Sequence, residues 1–189
     1  NVGAGEKPTE YGSYFLWGKT DAKTGSYSTG ASQGYDYYGV DLATLRSQGI
    51  INQNDDNLIL NYDAAYKNMV SAKTNKGDWR MPTYAESQEL QGTHSEQTFN
   101  GTKGLLFISS NDNCLFLPFS GYHQKTWASS YVSTAYFHNT TTATDVRAQG
   151  GDVDGTHTFG MAYDKDNKKM GGAYNSRVFA HPIRAVYNK

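Results

Sequence analysis

The alternation of apolar and polar positions along the chain is short-range and often interrupted. Tyr14-Phe15-Leu16-Trp17 reads as a short strand, and 25–38 has no periodicity and reads as a surface loop. A polar turn over 52–57 separates that region from Leu58-Ile59-Leu60. Asp63 has the short acceptor side chain that suits a helix N-cap. The stripe Ala65, Met69, Ala72 predicts a helix over 64–74, closed by Gly77. Thr83-x-x-Glu86 is a capping box and predicts a second helix running to Leu90, stopped by Gly92.

Asn100-Gly101 is a hairpin signal, because a type I′ turn requires φ > 0 at both central residues. Phe107-Ile108-Ser109 and Leu115-Phe116-Leu117 read as strands joined by a turn over Asn111-Asp112-Asn113. Beyond Gly121 the chain changes character. From Tyr122 to Asn175 it is mostly Thr, Ser, Tyr, Asn, Asp, Gly and His, with Phe159–Tyr163 as a clear strand. Ile183–Tyr187 reads as a closing strand. No internal repeat is present. Two helices and several short strands with long structured loops predict an α+β class and a single domain over 1–189.

Composition alters this picture in one respect. Leu, Ile, Val and Phe together are only 31 of 189 residues, whereas 15 Tyr and 3 Trp supply large apolar rings. Aromatic burial replaces aliphatic burial in such a chain. Net charge is -1, which leaves no basic excess to neutralise a phosphate backbone, so no nucleic-acid partner is expected. No apolar run approaches the ~20 residues of a transmembrane helix. The lone Cys114 excludes an intrachain disulfide and a multi-thiolate metal site, and its apolar neighbours Leu115-Phe116-Leu117 predict a buried, inert thiol.

Reactive constellations are scarce. The five His lack the His-Glu-x-x-His spacing of a zinc helix. Asp152 with Asp154, and Asp164 with Asp166, are hard-cation candidates in polar turns, with calcium the cofactor they would take. Neither pair matches the twelve-residue calcium loop, since the stretch from Asp164 to Asn175 lacks its Gly and terminal Glu. Gly-x-Ser-x-Gly and a phosphate-cradling loop are both absent. Glu86 is accounted for by the capping box rather than by acid–base work. Arg80 and Arg184 sit between apolar neighbours and read as structural braces. The chain is therefore not expected to be an enzyme.

Five segments occur in order: Asn1-Val2-Gly3-Ala4; Tyr11-Gly12-x-Tyr14-Phe15-x-Trp17-Gly18; Trp79-Arg80-Met81-Pro82-Thr83-x-x-Glu86; Phe116-Leu117-Pro118-x-x-Gly121-Tyr122; and Pro182-Ile183-Arg184-Ala185-Val186. Together they resemble the Fibrobacter succinogenes major paralogous domain family, found in surface and secreted proteins of Bacteroidetes. The resemblance implies a C-type-lectin-like fold near the formylglycine-generating-enzyme branch, with two helices around a small, mostly antiparallel sheet. It implies a domain trimmed at its N-terminus, because the family usually has a strand before Asn-Val-Gly-Ala. Trp79 and Met81 would be core residues. Formylglycine generation needs a cysteine pair, and the related sulfoxide synthases need His-x-x-x-His-x-Glu; neither is present.

The resemblance implies cell-surface or secreted localisation and non-catalytic recognition of a glycan or a protein through the second-half loops. Tyr and Trp join an apolar face to a polar handle, which suits such contacts. The expected contact set is Tyr122, His123, Trp127, Tyr136, His138, Asn139, Tyr163, Tyr174 and Asn175. Two alternatives accompany this reading. One is a variable binding protein diversified by a retroelement, whose adenine mutagenesis scatters Asn codons into Tyr, Asp, His, Ser and Thr. The other is a structural or assembly component of an envelope or pilus.

Overall fold

The computed structural model describes residues 1–4, 7, 9–23, 36–69, 78–91, 94–122, 137–146 and 153–187, with the backbone alone at 137–139, 146, 153, 154 and 156. Among these residues the chain is mixed helix and strand, with three short helices and three small antiparallel sheets.

The helices are α1 (Leu42–Ser47), α2 (Ala64–Asn68) and α3 (Tyr84–Gln88). Each begins at a side-chain cap, which satisfies amides that an isolated helix end leaves open. Asp41 accepts from Thr44 N at 2.6 Å. Asp63 accepts from Ala65 N and Tyr66 N with Oδ1 and from Met81 N with Oδ2, at 2.8–3.0 Å, so one buried carboxylate caps α2 and anchors the next chain segment. Thr83 and Glu86 form the expected capping box, and a 3-10 turn over Glu89–Gln91 extends α3. Two expectations change. α2 ends at Asn68, with Ala72 and Gly77 outside the described residues. α1 lacks a sequence stripe because at six residues it buries only Leu45.

The first sheet pairs β1 (Trp79–Arg80) with β8 (Val186–Tyr187). Three strands make the second, in the order β2 (His94–Phe99), β3 (Thr102–Ile108), β4 (Cys114–Pro118). Its first hairpin turns at Asn100 and Gly101, with φ of 49° and 81°, as the turn signal requires. The third sheet, β5 (Phe137–Val146), β6 (Val153–Asp164) and β7 (Lys169–Ser176), is the largest. Register shifts in β5 leave Thr140–Thr142 out of the ladder. They turn aside to bond with other segments: Thr141 and Thr142 hydroxyls donate to Asn57 Oδ1, and Thr142 Oγ1 accepts from Tyr84 N.

Tyr14–Trp17 is no strand beyond a bridge from Phe15 to His181, and all four residues are buried. The closing strand is confined to Val186–Tyr187. The chain ends meet here, since Val2 N donates to Ile183 O at 3.0 Å. Two cores result. One gathers Trp17, Leu45, Ile51, Met81 and Ile183; the other gathers Leu105, Phe107, Leu117, Met161 and Met170 between the second and third sheets. Met81 is core as expected, whereas Trp79 is half-buried, edge-on to Tyr187 at 5.4 Å. Cys114 is exposed, which corrects the expectation of a buried thiol: it begins an outer strand, and its apolar neighbours point into the sheet without it.

Candidate functional site

The third sheet and α3 build the surface of interest. On β6 and β7, Phe159 lies opposite Tyr174, Met161 opposite Gly172, and Tyr163 opposite Met170. Cross-strand partners share a face. α3 lies across that face. Tyr84, its first residue, stacks on Phe159 with ring centroids 4.1 Å apart, and Phe159 meets Tyr174 at 5.2 Å. Tyr84 reaches this position because Gly172 has no side chain: a Cβ there would sit 2.7 Å from Tyr84 Cζ. The result is a row of three rings, of which Tyr174 is the outermost at 41 % exposure.

Tyr84 separates this row from a groove of 390 Å³. The groove floor is Leu90, Leu115, Leu117, Met161 and Met170, and its rim carries Glu86, Glu89 and Arg184. Glu86 is held by Arg80 through two bonds of 2.6 and 2.8 Å and by Thr83 N at 2.8 Å. The Arg80 guanidinium, joined by these donors, brings its carboxyl down to about 2. Both residues are thus braces, as expected for Arg80 and Glu86. A second cleft, of 470 Å³, is polar and borders Asn57, Asp63 and Arg80. Their acceptors and donors there serve the internal bonds described above.

The expected contact residues do not form one surface. Tyr174 is exposed. Tyr122 is buried, stacked on Phe179 at 4.9 Å and 5.6 Å from His181. Tyr163 is also buried, stacked on Phe119, and its hydroxyl donates to Glu96 at 2.7 Å. Burial, followed by the Glu96 carboxylate, pushes that phenol up to about 12. Asn175 points to the opposite face of β7 from Tyr174 and is buried, as neighbouring strand positions require. Tyr122, Tyr163 and Asn175 are therefore interior residues, a correction to a contact set chosen by composition. His138 and Asn139 lie on β5 opposite Met161 and Gly160. His123, Trp127 and Tyr136 lie outside the described residues.

Among the cation candidates, Asp152 lies outside the described residues and Asp154 is placed on β6 by its backbone. Asp164 and Asp166 sit at the β6–β7 turn. Asp164 Oδ1 accepts from the amides of Asp166 and Asn167, and Oδ2 accepts from Asn167 Nδ2 at 2.7 Å. The Asn167 side chain leads the effects that hold its carboxyl below the usual range. That acid organises the turn. Among the described residues no group of three or more His, Cys, Asp or Glu is arranged to hold a metal.

Sequence reasoning missed Tyr84, Phe159 and the groove. Tyr84 was visible only as a residue inside a capping box, and the pairing of Phe159 with Tyr174 depends on strand register. It also missed Arg177, which is fully buried and donates to carbonyls of Tyr37, Val40, Thr144, Gly155 and His157 at 2.7–3.2 Å.

Comparison of the chain with protein-family models, with curated proteins and with solved structures returns no match. Among the described residues no helix is long and apolar enough to cross a membrane.

Proposed function

We propose that this chain is a non-catalytic recognition module of C-type-lectin-like fold, displayed on or secreted from a bacterial cell, that binds a glycan or a protein. The reading rests on the exposed Tyr174 ring, backed by Phe159 and Tyr84. A rigid aromatic on a strand offers stacking area with little ordering cost. The end-to-end closure of the chain and its small antiparallel sheets support the fold assignment. A lone exposed Cys114 supports a module without formylglycine-type chemistry.

The test is a glycan-array and protein pull-down screen, followed by Tyr174→Ala measured against each ligand found. Loss of an outer aromatic anchor weakens binding by about 2 kcal/mol, roughly thirtyfold. Unchanged affinity in Tyr174→Ala places recognition elsewhere. The assembly reading has its own observation: Phe99 and Ile108, 42 % and 56 % exposed, lie on one side of the second sheet. Mass that rises with concentration in a dilution series favours that reading.

A further inference from the structure

The groove beside α3 differs from the aromatic row in shape and chemistry. Its volume, 390 Å³, falls in the range of roughly 300–1,000 Å³ that holds small organic ligands. Its floor is aliphatic and thioether, with Leu117, Met161 and Met170 otherwise buried. Methionine floors adapt to unbranched and branched aliphatic shapes. The rim is ionic, with both signs present on separate walls. Glu86 is already neutralised by a two-pronged pair with Arg80. Glu89 is an exposed carboxylate on the α3 side, and Arg184 stands on the closing segment. A purely apolar ligand would leave those charges unused, and a singly charged one would match one and oppose the other.

We infer that the groove binds a small zwitterion with an aliphatic body, typified by a short apolar peptide with both ends free. The ammonium end meets Glu89, the carboxylate end meets Arg184, and the side chains occupy the floor between Leu90, Leu117, Met161 and Met170. Charge-assisted bonds at both ends discriminate strongly against blocked analogues. This site is independent of the Tyr174 surface.

The experiment follows the ε-methyl NMR signals of Met161 and Met170 during titration of the whole chain. The probes are leucyl-leucine, its N-acetyl form and its C-terminal amide. Saturable shifts of both methyl signals are expected with leucyl-leucine, and each blocked form should bind about tenfold more weakly. Glu89→Gln should weaken leucyl-leucine and leave the N-acetyl form unchanged; Arg184→Gln should do the same with respect to the amide. Tyr174→Ala should leave leucyl-leucine binding intact, which separates this inference from the recognition reading. Absence of saturable shifts in the unmodified protein, equal binding of free and blocked peptides, or equal weakening by Tyr174→Ala overturns it.

Discussion

The guanidinium of Arg177 lies 5.0 Å from the centre of the Trp17 ring, and neither side chain reaches solvent. The pair joins the first core to the start of the third sheet. One face of the cation meets the indole, while its N–H groups serve five carbonyls of the 37–40 segment, β5 and β6. Asp145 stands 3.9 Å away as the nearest carboxylate. A buried cation is tolerated only when its donors are satisfied, and here backbone dipoles do most of that.

Arg177→Lys should therefore be severely destabilising although it keeps the charge. An ammonium has three donors and no planar fork, so at least two of the five carbonyls lose their partner. The expected loss is about 3 kcal/mol or more, read as a lower urea midpoint. A loss under about 1 kcal/mol would show that the carbonyl cage does not depend on the guanidinium.

His181 sets an acid limit on stability. Complete burial pushes its imidazole down from 6.5 to about 3. The unfolded chain takes up a proton near 6.5 and the folded chain does not, so stability falls as pH drops from there toward 3. The slope approaches about 1.4 kcal/mol per pH unit. Glu86, held at about 2 against a usual 4.5, adds its own loss only below 4.5. Burial moves the Asp63 carboxyl up, so its contribution has the opposite sign. The difference between the native chain and His181→Gln cancels both acids. Urea melts from pH 6.5 to 4.5 should show the native chain losing stability faster than His181→Gln. Parallel curves would refute the assignment.

Gly172 and Tyr84 should be coupled. Gly172→Ala drives a methyl into the Tyr84 ring and displaces it from Phe159. The expected cost is about 1–2 kcal/mol. In a Tyr84→Ala background the same change meets open space and should cost less than half as much. A double-mutant cycle measures this difference directly; additive costs would mean that the ring is free to move aside.

Cys114 should react in the folded protein. It is exposed at the start of β4, and its sulfur contacts only the Asp112 carbonyl, at 3.6 Å, among printed partners of the turn. Titration with an aromatic disulfide should modify one thiol per chain without denaturant and leave the thermal midpoint nearly unchanged. Modification only after unfolding would restore the buried thiol read from its neighbours.

The residues that could be read from sequence act over three or four positions. Asp63 and Thr83 cap helices because their oxygens reach amides two or three residues on, and Asn100-Gly101 turns a hairpin because its own backbone preferences demand it. The α+β class, the strands flanking the 111–113 turn and the bracing pair Arg80–Glu86 follow from such local chemistry. Tertiary structure decided the rest. Tyr163 and Tyr174 are the same residue type eleven positions apart in sequence, yet one is buried under Phe119 and the other faces solvent. Strand register and the placement of α3 separate them, and neither is written in composition. Arg177 became the centre of the molecule because its five carbonyl partners converge from positions 37 to 157. The groove exists because α3, β4, the third sheet and the closing segment meet there. Short-range bonds made the elements legible one at a time; long-range packing chose which side chains they bury and which they present.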